Sequence, residues 1–145
     1  MSRKSGHPRR ERMVVASNAV SVNLDSRRAM TAGMLAWFIP GAGHLWLGRR
    51  QKGVTFLLAL PVMFGIGLLF EGRLFPFDLG QPLVLLAAFA DLGNGLPYFL
   101  AKVAGLGEGR VIAESFEYGN TFTIVSGLLN MLVCLDAYDV ALGRR

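Results

Sequence analysis

The hydrophobic positions of this chain fall into four long runs, not into an amphipathic period. Residues 29–48 hold 20 positions without Asp, Glu, Lys or Arg, and residues 53–70 hold 18. Residues 79–101 form a run of 23 interrupted only by Asp91. Residues 118–135 add 18 more, and their apolar character continues to Leu142 past Asp136 and Asp139. A helix crossing a hydrocarbon core needs roughly 20 mostly apolar residues. A helix of a water-soluble bundle keeps a polar stripe at helical period, and the run Phe56–Phe64 has no polar side. The pattern predicts an all-α, polytopic transmembrane bundle of four spans, about 29–48, 53–70, 82–104 and 119–142. Residues 1–28 are read as a flexible, basic, polar tail, and 29–145 as the transmembrane domain.

Boundary residues agree with these spans. Asp25 or Ser26 can cap the first helix, Pro82 suits a first helical turn, and Asn120 or Thr121 can cap the last. Gly48 and Gly143 stand where helices would end. Trp46, Tyr98 and Tyr118 fall near span ends, as interfacial aromatics do. The glycine pairs Gly41/Gly43, Gly65/Gly67 and Gly93/Gly95 lie within spans, where a missing side chain lets backbones approach closely. Pro40, Pro61 and Pro97 also fall inside spans, which packed membrane helices tolerate when neighbours satisfy the freed carbonyl.

Charge sets the orientation and exposes a conflict. Residues 1–28 hold seven Lys/Arg against two acids, and the other 117 hold eight of each, so the net charge of +5 belongs to the tail. With four spans and an internal N-terminus, ten Lys/Arg lie inside and five outside. The positive-inside rule then places both termini in the cytoplasm and the chain in the cell inner (plasma) membrane. Yet the same tetrapeptide ends two runs, as Leu47-Gly48-Arg49-Arg50 and Leu142-Gly143-Arg144-Arg145. Three crossings would put these basic ends on opposite faces. Either Arg49 and Arg50 face outward, or one stretch is re-entrant. The candidates for re-entrance are the first, broken at Pro40-Gly41-Ala42-Gly43, and the third, broken at Gly93-Asn94-Gly95-Leu96-Pro97.

The composition adds little chemistry. Charged residues make up 17%, against about a quarter in a soluble domain, and mean hydropathy is +0.43. The single cysteine, Cys134, rules out an intramolecular disulfide, and no cleavable signal segment is expected. Polar groups within membrane spans are expensive and therefore functional candidates. Here they are His44, Asp91, Asn94, Asn130, Asp136 and Asp139. Asp91 falls near mid-bilayer with Asn94 one turn on, and Asp136 and Asp139 share a face where Arg144, Arg145 or the tail can pair with them. A lone His44, with His7 far off in the tail, makes no metal site, and no catalytic or nucleotide-binding motif is present. No cofactor is indicated. Arg9, Arg10, Arg12, Arg27 and Arg28 are expected to contact anionic lipid. Nucleic-acid binding is not indicated, since no fold motif or interleaved aromatics accompany the basic residues.

The segment Leu35–Gly53 resembles the opening of a family of small bacterial multispan membrane proteins known only as a domain of unknown function. Gly80-Gln81-Pro82, Leu106-Gly107-Glu108-Gly109, Glu117–Phe122 and Leu135–Arg144 also resemble its pattern, over residues 30–145. The resemblance implies a multispan membrane protein and no particular activity. Gly41–Gly53 is also distantly similar to the two-transmembrane-helix domain, which would put the Arg49–Lys52 turn in the cytoplasm. The function expected is a non-enzymatic helix-packing or membrane-complex component, its partners being lipid and a second copy or other membrane proteins. The alternative is a proton- or ion-linked transporter or channel component using Asp91.

Overall fold

The computed structural model describes residues 8–144; Arg3, Lys4, His7 and Arg145 lie outside them. The described residues form six helices and no strand: α1 (Pro8–Phe38), α2 (Ala42–Trp46), α3 (Arg50–Leu69), α4 (Pro82–Leu92), α5 (Leu96–Val103) and α6 (Phe116–Ala141). The all-α expectation holds, and the count of four full spans does not. Two helices, α3 and α6, are long and apolar enough to cross a membrane. At 1.5 Å per residue α3 is about 30 Å long, the thickness of a hydrocarbon core. A third candidate span arises only if α4 and α5 count as one, and these are bent by 106° at their break.

The first predicted span is not one continuous apolar helix, for a local reason. Its apolar helical part, Ala29–Phe38, reaches only about 15 Å, half a bilayer core. Pro40 cannot extend the helix, and Gly41 takes a left-handed φ of 81°. The short α2 then folds back: Gly43 lies so close to Ala32 O and Ala36 of α1 that a side chain would not fit. At its other end α1 does not start at Asp25 or Ser26. Helix runs from Pro8 straight through the basic stretch, so within the described residues the segment read as a flexible tail is an exposed helix continuous with Ala29–Phe38.

α6 is the spine. Gly33 lies against Cys134 and Tyr138, and Trp37 is bonded to Asn130, so α1 runs antiparallel to α6 and stops halfway along it. Lys52 pairs with Asp136 at one end of α6, and Gly67 abuts Thr123 and Gly119 at the other. Hence α3 runs antiparallel along nearly its whole length. The 70–81 connection returns nothing to the first end. Its Arg73 N–H donates to Asn120 Oδ1 (2.7 Å) and its Leu74 N–H to Gly107 O (2.8 Å). The exit of α3, the exit of α5 and the start of α6 therefore meet at one end of the spine.

Some predicted boundaries shift with this arrangement. Gly48 and Gly143 end helices with φ of 80° and 70°, and Pro82 opens α4. Asn120 and Thr121 are not caps, because α6 already begins at Phe116. Tyr98 is not interfacial: it is buried beside Phe64, Leu74 and Ala101, with Leu68 and Leu92 packed against them. Trp46 and Tyr118 remain exposed.

Candidate functional site

One face of α6 carries Gly119, Asn120, Thr123, Ser126, Gly127, Asn130, Val133 and Ala137, all buried. Steps of three and four keep these residues on one stripe of the helix. Small side chains let the neighbouring elements approach to backbone contact. A Cβ on Gly127 would overlap Ala90 O, and one on Gly95 would overlap Trp37 O. The polar members of the stripe supply donors where helices end.

Asn130 is the centre of this ladder. Its Nδ2 donates to Trp37 O of α1 (3.1 Å) and to Gly93 O at the end of α4 (2.8 Å). The last carbonyls of a helix have no partner within it, and the side-chain amide has two N–H groups to offer. One residue thus joins the C-terminal ends of α1 and α4 to the midpoint of α6. Asn94 does the same one step along: its Nδ2 donates to Asp91 O and Thr123 O (both 3.1 Å), and Ser126 Oγ donates to its Oδ1 (2.7 Å).

Asp91 is fully buried and accepts the Phe75 N–H at Oδ2 (3.0 Å), which ties the 70–81 connection to the last turn of α4. Its Oδ1 has no hydrogen-bond partner, and neither does Asn130 Oδ1. The remaining candidates gather elsewhere. His44 is buried on α2, with Nε2 2.8 Å from Asp136 Oδ2. Lys52 Nζ reaches the same oxygen at 3.0 Å, so Asp136 clamps α2 and the start of α3 to α6. Among the described residues Asp136 thus meets His44 of α2 and Lys52 of α3, two groups the sequence reading did not pair with it. Asp139 pairs with Arg144 at 3.5 Å.

The six polar candidates therefore form two groups. Asp91, Asn94 and Asn130 lie where the helix breaks meet α6. His44, Asp136 and Asp139 lie toward its C-terminal end. Among the described residues, no three His, Cys, Asp or Glu side chains are grouped as a metal site. Of the basic residues read as lipid contacts, Arg28 sits over the Trp46 ring at 5.8 Å. Arg9, Arg10 and Arg12 are roughly 25 Å farther along α1 from Arg27 and Arg28 and are exposed. Sequence reasoning missed Thr123, Ser126 and Lys52, and took Asn120 only for a cap. The signal was the stripe of Gly, Ser, Thr and Asn at three- and four-residue steps through an otherwise apolar helix.

Comparison with known proteins gives one match. The model of a family described as "Family of unknown function (DUF6677)" covers residues 31–145. No curated protein and no solved structure matches the chain.

Proposed function

The chain belongs to the DUF6677 family of unknown function, and from that premise we propose that it is a non-enzymatic integral membrane protein acting as a helix-packing component of a membrane complex. In this reading α3 and α6 cross the bilayer. α1–α2 and α4–α5 are re-entrant pairs that enter from opposite faces and meet at mid-depth. The observation that carries the reading is the double bond of Asn130 to Trp37 O and Gly93 O. Broken backbone is tolerated at membrane depth only where protein or water satisfies it, and here side chains of α6 supply the donors.

This arrangement removes the conflict between the two Leu-Gly-Arg-Arg segments. With two crossings between them, both lie at the C-terminal end of α6. Among the described residues that end then carries nine Lys/Arg (Arg9, Arg10, Arg12, Arg27, Arg28, Arg49, Arg50, Lys52 and Arg144). The opposite end carries three (Arg73, Lys102 and Arg110). The positive-inside rule favours a cytoplasmic location for the richer end, hence for both termini, in the inner (plasma) membrane. Purification in mild detergent should yield an oligomer or a co-purifying membrane partner. A protein found only as an isolated monomer would overturn the role in a complex.

A second reading, proton- or ion-linked transport through Asp91, draws on the unpartnered, fully buried Oδ1 of that residue. Reconstituted liposomes should then show a flux that Asp91→Asn abolishes, and equal flux in both proteins, or none, removes it.

A further inference from the structure

At the end of the molecule where α3 and α5 finish and α6 begins, the 105–108 loop, Lys102 and the 73–76 stretch border an open pocket of about 400 Å³, within the size range of small-ligand sites. Its charged lining is Arg73, Lys102 and Glu108, and Leu74, Pro76 and Leu106 supply the apolar part. We infer that this pocket binds the phosphoethanolamine headgroup of a membrane phospholipid, the phosphate against Arg73 and Lys102 and the primary ammonium against Glu108. The inference rests on the reading of α3 and α6 as crossing helices, which sets this end of the molecule at the membrane surface among headgroups.

The walls of the pocket are fixed by the fold. Leu74 N–H donates to Gly107 O (2.8 Å) and Arg73 N–H to Asn120 Oδ1 (2.7 Å). Gly107 and Gly109, with φ of 81° and 68°, seat the loop so closely that a Cβ on either would overlap the side chain of Leu74 or Arg73. Lys102 Nζ stands 5.8 Å from the centroid of the Tyr98 ring, and Tyr98 is itself buried. Among the described residues, none of Arg73, Lys102 and Glu108 is held in an ion pair.

The balance of charge selects the ligand. Two cations and one acid line the pocket. The buried Asp91 accepts the N–H of Phe75, which lies between the lining residues Leu74 and Pro76, and Lys102 acts on that carboxylate electrostatically. Glu71 and Arg110 lie against the other side of the loop and offset each other. Two cations therefore stand against two acids, which favours a ligand that carries both signs and no net charge. A guanidinium and an ammonium suit a phosphate, and a carboxylate accepts from the N–H groups of a primary ammonium. A choline group has no N–H to give Glu108, and the lining has no aromatic ring of the kind that holds quaternary ammonium ions. A glycerol headgroup would leave Glu108 beside the phosphate without a counter-ion. Leu106 in the lining and Val103 next to Lys102 are exposed and give the acyl chains an apolar surface.

The test uses the full chain purified in dodecyl maltoside. Phosphatidylethanolamine, phosphatidylcholine and phosphatidylglycerol of identical acyl chains are added in equal amounts, and retained lipid is counted by native mass spectrometry. We expect one phosphatidylethanolamine to be retained in preference to the other two. Arg73→Gln and Lys102→Gln should each lower its retention roughly fivefold. Glu108→Gln should lower the preference for phosphatidylethanolamine over phosphatidylglycerol by a similar factor, and Arg110→Gln, across the loop, should leave both unchanged. Equal retention of the three lipids, a preference that survives Glu108→Gln, or a loss in Arg110→Gln as large as in Arg73→Gln overturns the inference while leaving the crossings intact. Soluble glycerophosphoethanolamine retained as well as the lipid would overturn the lipid as the occupant. A protein that stays folded and dispersed without detergent overturns the crossings themselves.

Discussion

Replacing Asn130 tests the hydrogen-bonded junction of the two broken helices. Asn130→Ala removes the buried donors to Trp37 O and Gly93 O and leaves both carbonyls without them. Hydrogen bonds between membrane helices contribute on average about 0.6 kcal/mol and at most about 1.7 kcal/mol. Two of them give a loss of roughly 1–3 kcal/mol. Asn130→Asp is the sharper variant, because it keeps the volume, removes the NH₂ group and turns a carboxylate toward two carbonyl oxygens. It should destabilise at least as much as the alanine. The single cysteine gives the assay. Cys134 lies where α1 meets α6, with its carbonyl 3.6 Å from the place a Cβ on Gly33 would take, and it is partly buried. Its reaction with a maleimide dye during titration with dodecyl sulfate reports the separation of these helices. Both variants should shift the midpoint to lower dodecyl sulfate. A change under about 0.5 kcal/mol in Asn130→Ala, or a more stable Asn130→Asp, would refute the proposed role of the amide.

Other substitutions probe the remaining contacts. Gly127→Leu should prevent docking of α4 and leave little monodisperse protein on size-exclusion chromatography, whereas Gly65→Leu should be tolerated, since no atom lies within 4 Å of a Cβ there. Asp136→Ala removes a carboxylate shared by His44 and Lys52 and should cost about 1.5–3 kcal/mol in the same titration. Lys52→Gln, at a half-exposed position, should cost under about 1 kcal/mol. Asp91→Leu should free the 70–81 connection from α4 by removing the acceptor for Phe75 N–H, seen as faster proteolysis between Glu71 and Gln81; an unchanged rate would argue against this tether.

Much of this arrangement is legible in the sequence. The apolar runs identify α3 and α6, and the breaks at Pro40–Gly43 and Gly93–Pro97 fall where the chain turns. What misleads is run length. Residues 29–48 are long enough to cross, but hydropathy does not distinguish a straight helix from two short ones folded against each other. The repeated Leu-Gly-Arg-Arg carries the missing information as a parity conflict, which the proposed re-entrance of α4–α5 would resolve. The buried ladder is harder to see, because the partners of Asn130 and Asn94 are backbone carbonyls at helix ends, which have no signature of their own in sequence. Asp136 likewise meets His44 and Lys52 from positions 92 and 84 residues away, a pairing that only the return of α2 makes local. The helical course of residues 8–28 is missed because that stretch lacks any apolar periodicity.

The proposed two-crossing arrangement puts the Arg49–Lys52 turn and the C-terminus on one side of the membrane and the Glu71–Leu79 connection on the other. Single cysteines placed in these three segments of a Cys134→Ser protein, and labelled in sealed cells with a membrane-impermeant maleimide, read the sides directly. The 71–79 cysteine should react in intact cells, and the other two only after lysis. A turn at 49–52 that labels from outside, together with a protected C-terminus, would contradict it and restore an odd number of crossings between the two basic segments.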